Sequence, residues 1–192
     1  MKKYVLIGII AVFGLGLFIV GGGALWYVSI RNDIVRLDET INQAEAEIDN
    51  QLQRRSDLIP NFVNTVRGYA AHEQQVFADI ANARSRLAGA TTMEEKSASY
   101  NEMQSALSRL LVVVENYPDL KANQNFIALQ DELAGTENRI AVARRRYNES
   151  VSSYNYRIRA FPGSIVAGNM GFTRRAYFEI ADTAREAPVV AF

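Results

Sequence analysis

Residues 30–48 read IRNDIVRLDETINQAEAEI, and their apolar members Ile30, Ile34, Leu37, Ile41, Ala44 and Ile48 recur by alternating fours and threes. Those spacings straddle the 3.6-residue turn, so one helix carries an unbroken a/d seam along a single face. Upstream, Tyr4 to Ile30 is 27 consecutive residues without a formal charge. As a helix that run reaches roughly 40 Å, against a hydrocarbon core of roughly 30 Å. Twelve residues between Val5 and Val20 are Val, Leu, Ile or Phe, together favouring insertion by about 4 to 7 kcal/mol, part of which the glycines take back. Lys2 and Lys3 anchor one end, and Trp26 with Tyr27 fit an interfacial aromatic belt at the other. The sequence therefore predicts a membrane helix running straight into a soluble one.

A cleaved signal peptide is the competing reading, with Gly22 and Ala24 as small residues near a cleavage site, but the apolar run exceeds the usual length and resumes after the glycines. Gly14 and Gly21, and likewise Gly16 and Gly23, lie seven apart, a spacing that lets a neighbouring helix approach on one face. Lys2 and Lys3 with the amino terminus outweigh Arg31 and Arg36 slightly, which places the body outside the cytoplasm.

Downstream the period continues. Pro60 lacks an amide hydrogen and biases Ile59 away from helix, so a kink or restart is expected there. A second run (Phe62, Val66, Tyr69, Val76, Ile80, Leu87) ends at Gly89, and Thr91 and Thr92 with Glu94 and Glu95 look like a capped helix start. A third seam is Tyr100, Met103, Leu107, Leu110, Val114 and Tyr117, closed by Pro118. A fourth is Phe126, Leu129, Leu133, Ile140, Tyr147, Val151, Tyr154, Ile158 and Phe161. Four such segments predict an all-α fold: an anchor over 1–30, an antiparallel four-segment bundle over 31–161, and an irregular tail over 162–192. The tail carries Phe172, Tyr177, Phe178 and Phe192, to be laid along the bundle or docked on a neighbouring subunit.

Of the 192 residues 48 % are apolar and none is cysteine, which excludes disulfides, cysteine-ligated zinc, thiol catalysis and a lipoprotein anchor. Lysine plus arginine and aspartate plus glutamate stand at 21 each, without the cationic excess of a general nucleic-acid binder. One histidine, His72, cannot supply the pairs that zinc hydrolases or ferritin-like centres need. No HExxH, GxSxG, phosphate loop or GxGxxG occurs. The acids Glu45, Glu47, Asp49, Asp131, Glu132 and Glu137 read as solvated helix faces. Arg144, Arg145 and Arg146 near Arg139, and Arg54 with Arg55 beside Asp57, read as helix-surface pairs or as contacts to lipid phosphate or an acidic partner. No enzyme activity, metal or cofactor is expected.

Residues 50–63 (NQLQRRSDLIPNFV), Gly68-Tyr69-Ala70, His72-Glu73, residues 115–123 (ENYPDLKAN), Phe126, Leu129-Gln130, residues 136–140 (TENRI), Ala143-Arg144, Tyr147-Asn148 and Phe161-Pro162 resemble, in order, the LemA family of bacterial membrane proteins. Ala167-Gly168, Gly171-Phe172, Tyr177-Phe178, Pro188-Val189 and Phe192 continue the match. One departure is Glu45, where the family often carries tryptophan. The resemblance implies a single-span anchor in the inner membrane and a helical body; it names no substrate, and it puts the short amino terminus outside, opposite to the charge reading. The expected function is a non-enzymatic membrane-anchored scaffold that assembles with copies of itself on the bilayer. The alternative is an adaptor for another envelope protein, such as a protease or signalling partner.

Overall fold

The structure, a computed structural model, describes residues 2–180, with side chains from Phe13 onward. The side chains of Lys2 and Lys3, and Pro188, Val189 and Phe192 entirely, lie outside the described residues. The elements are α1 (Lys2–Arg67), α2 (Gln74–Gly89), α3 (Met93–Val114), α4 (Pro118–Lys121), α5 (Gln124–Arg159) and α6 (Gly163–Met170), with no strand among the described residues. The architecture is a long apolar helix continuing into an antiparallel helical bundle. The chain divides into two compact units: residues up to 40 with 152–175, and residues 41–151 with the chain from 176 on.

In the larger unit Phe62, Ile80, Met103, Leu110, Leu120 and Phe126 form part of one buried cluster. Phe62 stacks on Phe126 with ring centroids 5.2 Å apart. Burying each such side chain is worth about 1.5–3 kcal/mol. The a/d residues Ile41 and Ile48 are fully buried in the same unit. In the smaller unit Ile30, Ile34, Tyr154, Ile158, Val166 and Ala167 are buried, and Asp33 holds Arg157 at 2.8 Å.

Of the kink or restart expected at Pro60, the restart does not occur, because α1 runs through it to Arg67. A proline leaves the carbonyl four residues back without its helical donor. Here that carbonyl belongs to Ser56, and Arg84 of α2 supplies the missing hydrogen bond, its Nε donating to Ser56 O at 3.2 Å and to Ser56 Oγ at 3.3 Å. The break comes instead at Gly68–Glu73, inside the run expected to be one helix from Phe62 to Leu87. The amides of Tyr69 and Ala70 both bond Val66 O, closing α1 as buried Ala70 turns the chain.

The turn into α3 is the capping box its sequence suggests, with Glu95 N donating to Thr92 Oγ1 at 3.2 Å and Thr92 N to Glu95 Oε2 at 3.1 Å. The third seam stops at Val114, and Pro118 opens α4 rather than closing α3. Asn123 Oδ1 caps α5 through the amides of Asn125 and Phe126. Phe161, expected in the fourth seam, is 78 % exposed because α5 has ended. Gly163 begins α6 so close to α5 that a Cβ there would meet the Arg157 carbonyl oxygen at 2.1 Å.

Arg84→Leu is expected to cost about 1–3 kcal/mol by orphaning the Ser56 carbonyl. In a Pro60→Ala background, where residue 60 regains its amide hydrogen, the same change costs clearly less. A double-mutant cycle by chemical denaturation measures this; equal costs in both backgrounds would refute the assigned bond.

Candidate functional site

Two surfaces carry what this fold offers for function: the apolar length of α1 and the polar fittings that fix the bundle. Between Phe13 and Val28 the large apolar side chains of α1 lie exposed, Phe13 at 70 % and Phe18 at 78 %, while Ile30 and Ile34 are buried. A helix apolar all round and unpartnered among the described residues has lipid as its natural solvent, and this one is long and apolar enough to cross a membrane. At its end Trp26 is exposed and Tyr27 half-buried.

Inside the larger unit, Arg55 of α1 is buried and reaches Glu137 of α5 at 2.5 Å and Gln104 of α3, its guanidinium 5.8 Å from the Tyr100 ring centre. Tyr100 OH donates to the other Glu137 oxygen at 2.5 Å. Burial first, then that bond to a carboxylate, pushes the Tyr100 phenol well above its ordinary value. Lys96 of α3 reaches Glu45 at 3.0 Å and Asp49 at 2.7 Å. Burial opposes its charge, but the hydrogen bonds it donates to both carboxylates outweigh this and raise its pKa. Lys96 edges a groove of about 360 Å³ that also touches Asp49, Ser56, Leu87 and Thr91.

The stretch after α6 is clipped onto its own chain. Asn155 Nδ2 donates to Arg175 O and Asn155 Oδ1 accepts from Arg175 N, both at 2.9 Å. Asn148 does the same with Phe178, at 3.1 and 2.9 Å. Each asparagine follows a tyrosine whose hydroxyl also holds the stretch, Tyr154 on Thr173 O at 3.1 Å and Tyr147 on Ala176 O at 3.0 Å.

The sequence-predicted contact residues divide accordingly. Arg55 and Phe178 are buried, the latter edge-on to Tyr100 with centroids 5.7 Å apart. Arg54 pairs with Glu132 at 3.2 Å. Arg144 and Phe172 are half-buried; Arg145, Arg146 and Tyr177 are exposed. His72 is exposed in the turn before α2, and no group of three potential metal-ligating side chains exists among the described residues. Glu45, Asp49, Glu132 and Glu137, read as solvated acids, each hold a cation of another helix. Sequence reasoning missed the clips, although the Tyr-Asn dyad repeated after seven residues was visible.

A family model described as the LemA family matches residues 44–192. Curated relatives include Protein LemA of Metamycoplasma hominis, 25 % identical over 191 residues, covering 96 % of this chain and 86 % of that protein. Magnetosome protein MamQ 2 of Paramagnetospirillum magneticum is 25 % identical over 174 residues, covering 77 % of this chain and 64 % of the relative. Magnetosome protein MamQ of Magnetospirillum gryphiswaldense is 24 % identical over 173 residues with the same coverage. The match thus spans less than two thirds of the MamQ proteins.

Raised phenol pKa values make folding favour neutral tyrosine, and Tyr154 shifts in the same direction, by burial and then Asp38. That stabilisation is complete below the ordinary value of 10.0 and is lost as pH rises past it. Tyr100→Phe is expected to cost about 1 kcal/mol at neutral pH and to flatten the alkaline decline in denaturant midpoint. An unchanged alkaline slope would contradict the raised Tyr100 phenol.

Proposed function

The chain belongs to the LemA family, and from that premise we propose that it is a non-enzymatic scaffold, anchored by α1 in the bacterial inner membrane and assembling laterally with copies of itself to organise or shape the envelope. The observation that carries this reading is α1 itself. One unbroken helix is apolar and unpartnered over Phe13–Val28, then contributes Ile30, Ile34, Ile41 and Ile48 to buried cores. Copies held in one plane by such a helix meet at raised effective concentration. Gly14, Gly16, Gly21, Gly22 and Gly23 leave open space where a Cβ would stand, so a second helix can approach closely in lipid. Lys2 and Lys3 against Arg31 and Arg36 favour a body outside the cytoplasm.

A second reading, an adaptor for another envelope protein, is favoured by one observation. Leu111 and Val112, adjacent at the end of α3, are exposed, Val112 at 70 %. A partner that covered these side chains would gain by removing their apolar surface from water.

Mass measurement of the protein extracted with its lipid separates these. Self-assembly predicts particles at multiples of 21.4 kDa that shift toward monomer in a Gly14→Leu, Gly21→Leu variant whose helix content is unchanged. A strict monomer at every concentration refutes it. A photo-crosslinker at Val112 that captures one heterologous envelope protein and no second copy establishes the adaptor, and labelling of Val112→Cys by an impermeant maleimide only after lysis would reverse the sidedness.

A further inference from the structure

The smaller unit contains a lobe that the anchor and the bundle do not explain. The chain leaves α5 at Ala160, forms α6, and returns at Thr173, whose carbonyl is held by Tyr154 OH at 3.1 Å. Gly171, at φ +73°, closes α6 in the left-handed conformation that glycine adopts freely. From Ala160 to Thr173 there is no charged residue. The inner face of the lobe, Gly163, Val166 and Ala167, is buried, yet its outer side carries large apolar residues alongside the uncharged Ser164 and Asn169: Phe161 is 78 % exposed, Ile165 53 % and Met170 41 %. An ordinary solvent-facing corner puts polar side chains there.

Position and charge indicate what covers this face. Arg157 of α5 is paired with Asp33 of α1 at 2.8 Å. The helices run antiparallel, so each residue beyond Arg157 moves back along α1 toward its lipid-facing length. α5 ends at Arg159, about level with Arg31, and the Ala160 amide still bonds Tyr156 O at 2.8 Å, so the corner that begins there lies just past Trp26 and Tyr27. Ser150 to Phe178 contains four arginines and no carboxylate. Asp33 and Asp38 of α1 take two of them, Arg157 and Arg175. The other two, Arg159 and Arg174, bracket the uncharged lobe and are exposed. An apolar wedge rimmed by guanidinium groups, at the depth where a membrane helix leaves the hydrocarbon, matches the bilayer interface, with acyl chains for the wedge and anionic phosphates for the rim.

We propose that the α5–α6 corner is a second membrane-contacting element, which dips Phe161, Ile165 and Met170 into the leaflet that α1 leaves while Arg159 and Arg174 engage lipid phosphates. This rests on α1 being the membrane span. The unit then meets the bilayer at two points, which restrains rotation and tilt of its α1 segment in a way a single helix does not.

The absence of cysteine makes the test clean. Full-length chain carrying Phe161→Cys or Ile165→Cys, labelled with an environment-sensitive fluorophore, is placed singly in nanodiscs of phosphatidylethanolamine and phosphatidylglycerol. Leu17→Cys in the span and Asn138→Cys on the exposed surface of α5 serve as references. The expected result is blue-shifted emission at residues 161 and 165, with strong quenching by lipids carrying the quencher near the headgroup and weaker quenching by lipids carrying it at the chain end. The Leu17 label shows the deeper profile. A residue-165 label quenched by aqueous iodide as fully as the Asn138 label overturns the proposal. So does protection that appears only when several copies share a disc, which assigns the face to a second copy. Loss of lipid quenching at residue 17 as well overturns the span itself, and is thereby distinguished from failure of the corner alone.

Discussion

A helix that passes from lipid to water must change from apolar on every side to apolar on one side, and in α1 the change falls between Val28 and Ile30. Before it, side chains such as Phe18 are exposed and find no partner among the described residues. After it, Ile30, Ile34, Ile41 and Ile48 recur by fours and sevens on one face and are buried. In water the first arrangement is costly, and in lipid the second would leave polar residues such as Asp33 and Arg36 without solvent. The order of the two patterns along one helix therefore sets which part is the apolar span and which part packs against other helices.

Hydrophobic burial alone does not fix which residue of one helix faces which of the next, because leucine-like seams slide with little penalty. Polar fittings supply that register. Arg55 ties α1 to α3 and α5 through Gln104 and Glu137, Lys96 ties α3 to Glu45 and Asp49 of α1, and Arg84 ties α2 to the Ser56 carbonyl. Each satisfies a group that would otherwise lose hydrogen bonds on burial. Glu45 contributes a carboxylate to the α1–α3 contact.

The all-helical fold was legible because a 3.6-residue period survives in residues such as Tyr100, Met103, Leu107 and Leu110, and because Thr92 and Glu95 form a cap recognisable from two letters at fixed spacing. Less legible were features whose partner is remote in sequence. Pro60 looks like a kink or a restart unless one knows that Arg84 restores the lost bond, and Gly68–Glu73 looks continuous because Val66, Tyr69 and Val76 keep the period across a turn. The acids hid their role for the same reason: Glu137 is ordinary on a helical wheel until Arg55 and Tyr100 are brought beside it. Periodicity describes one helix at a time, and the sites here are made between helices.

Continuity of α1 across the lipid boundary is the claim on which the rest stands. Hydrogen exchange of the full chain in nanodiscs tests it most directly, residue by residue over the amides from Leu25 to Ile41. The account predicts unbroken protection through Trp26, Ile30 and Ile34, with no fast-exchanging gap. A rapidly exchanging segment between Tyr27 and Asp33 would show two helices joined by a hinge, and would contradict it.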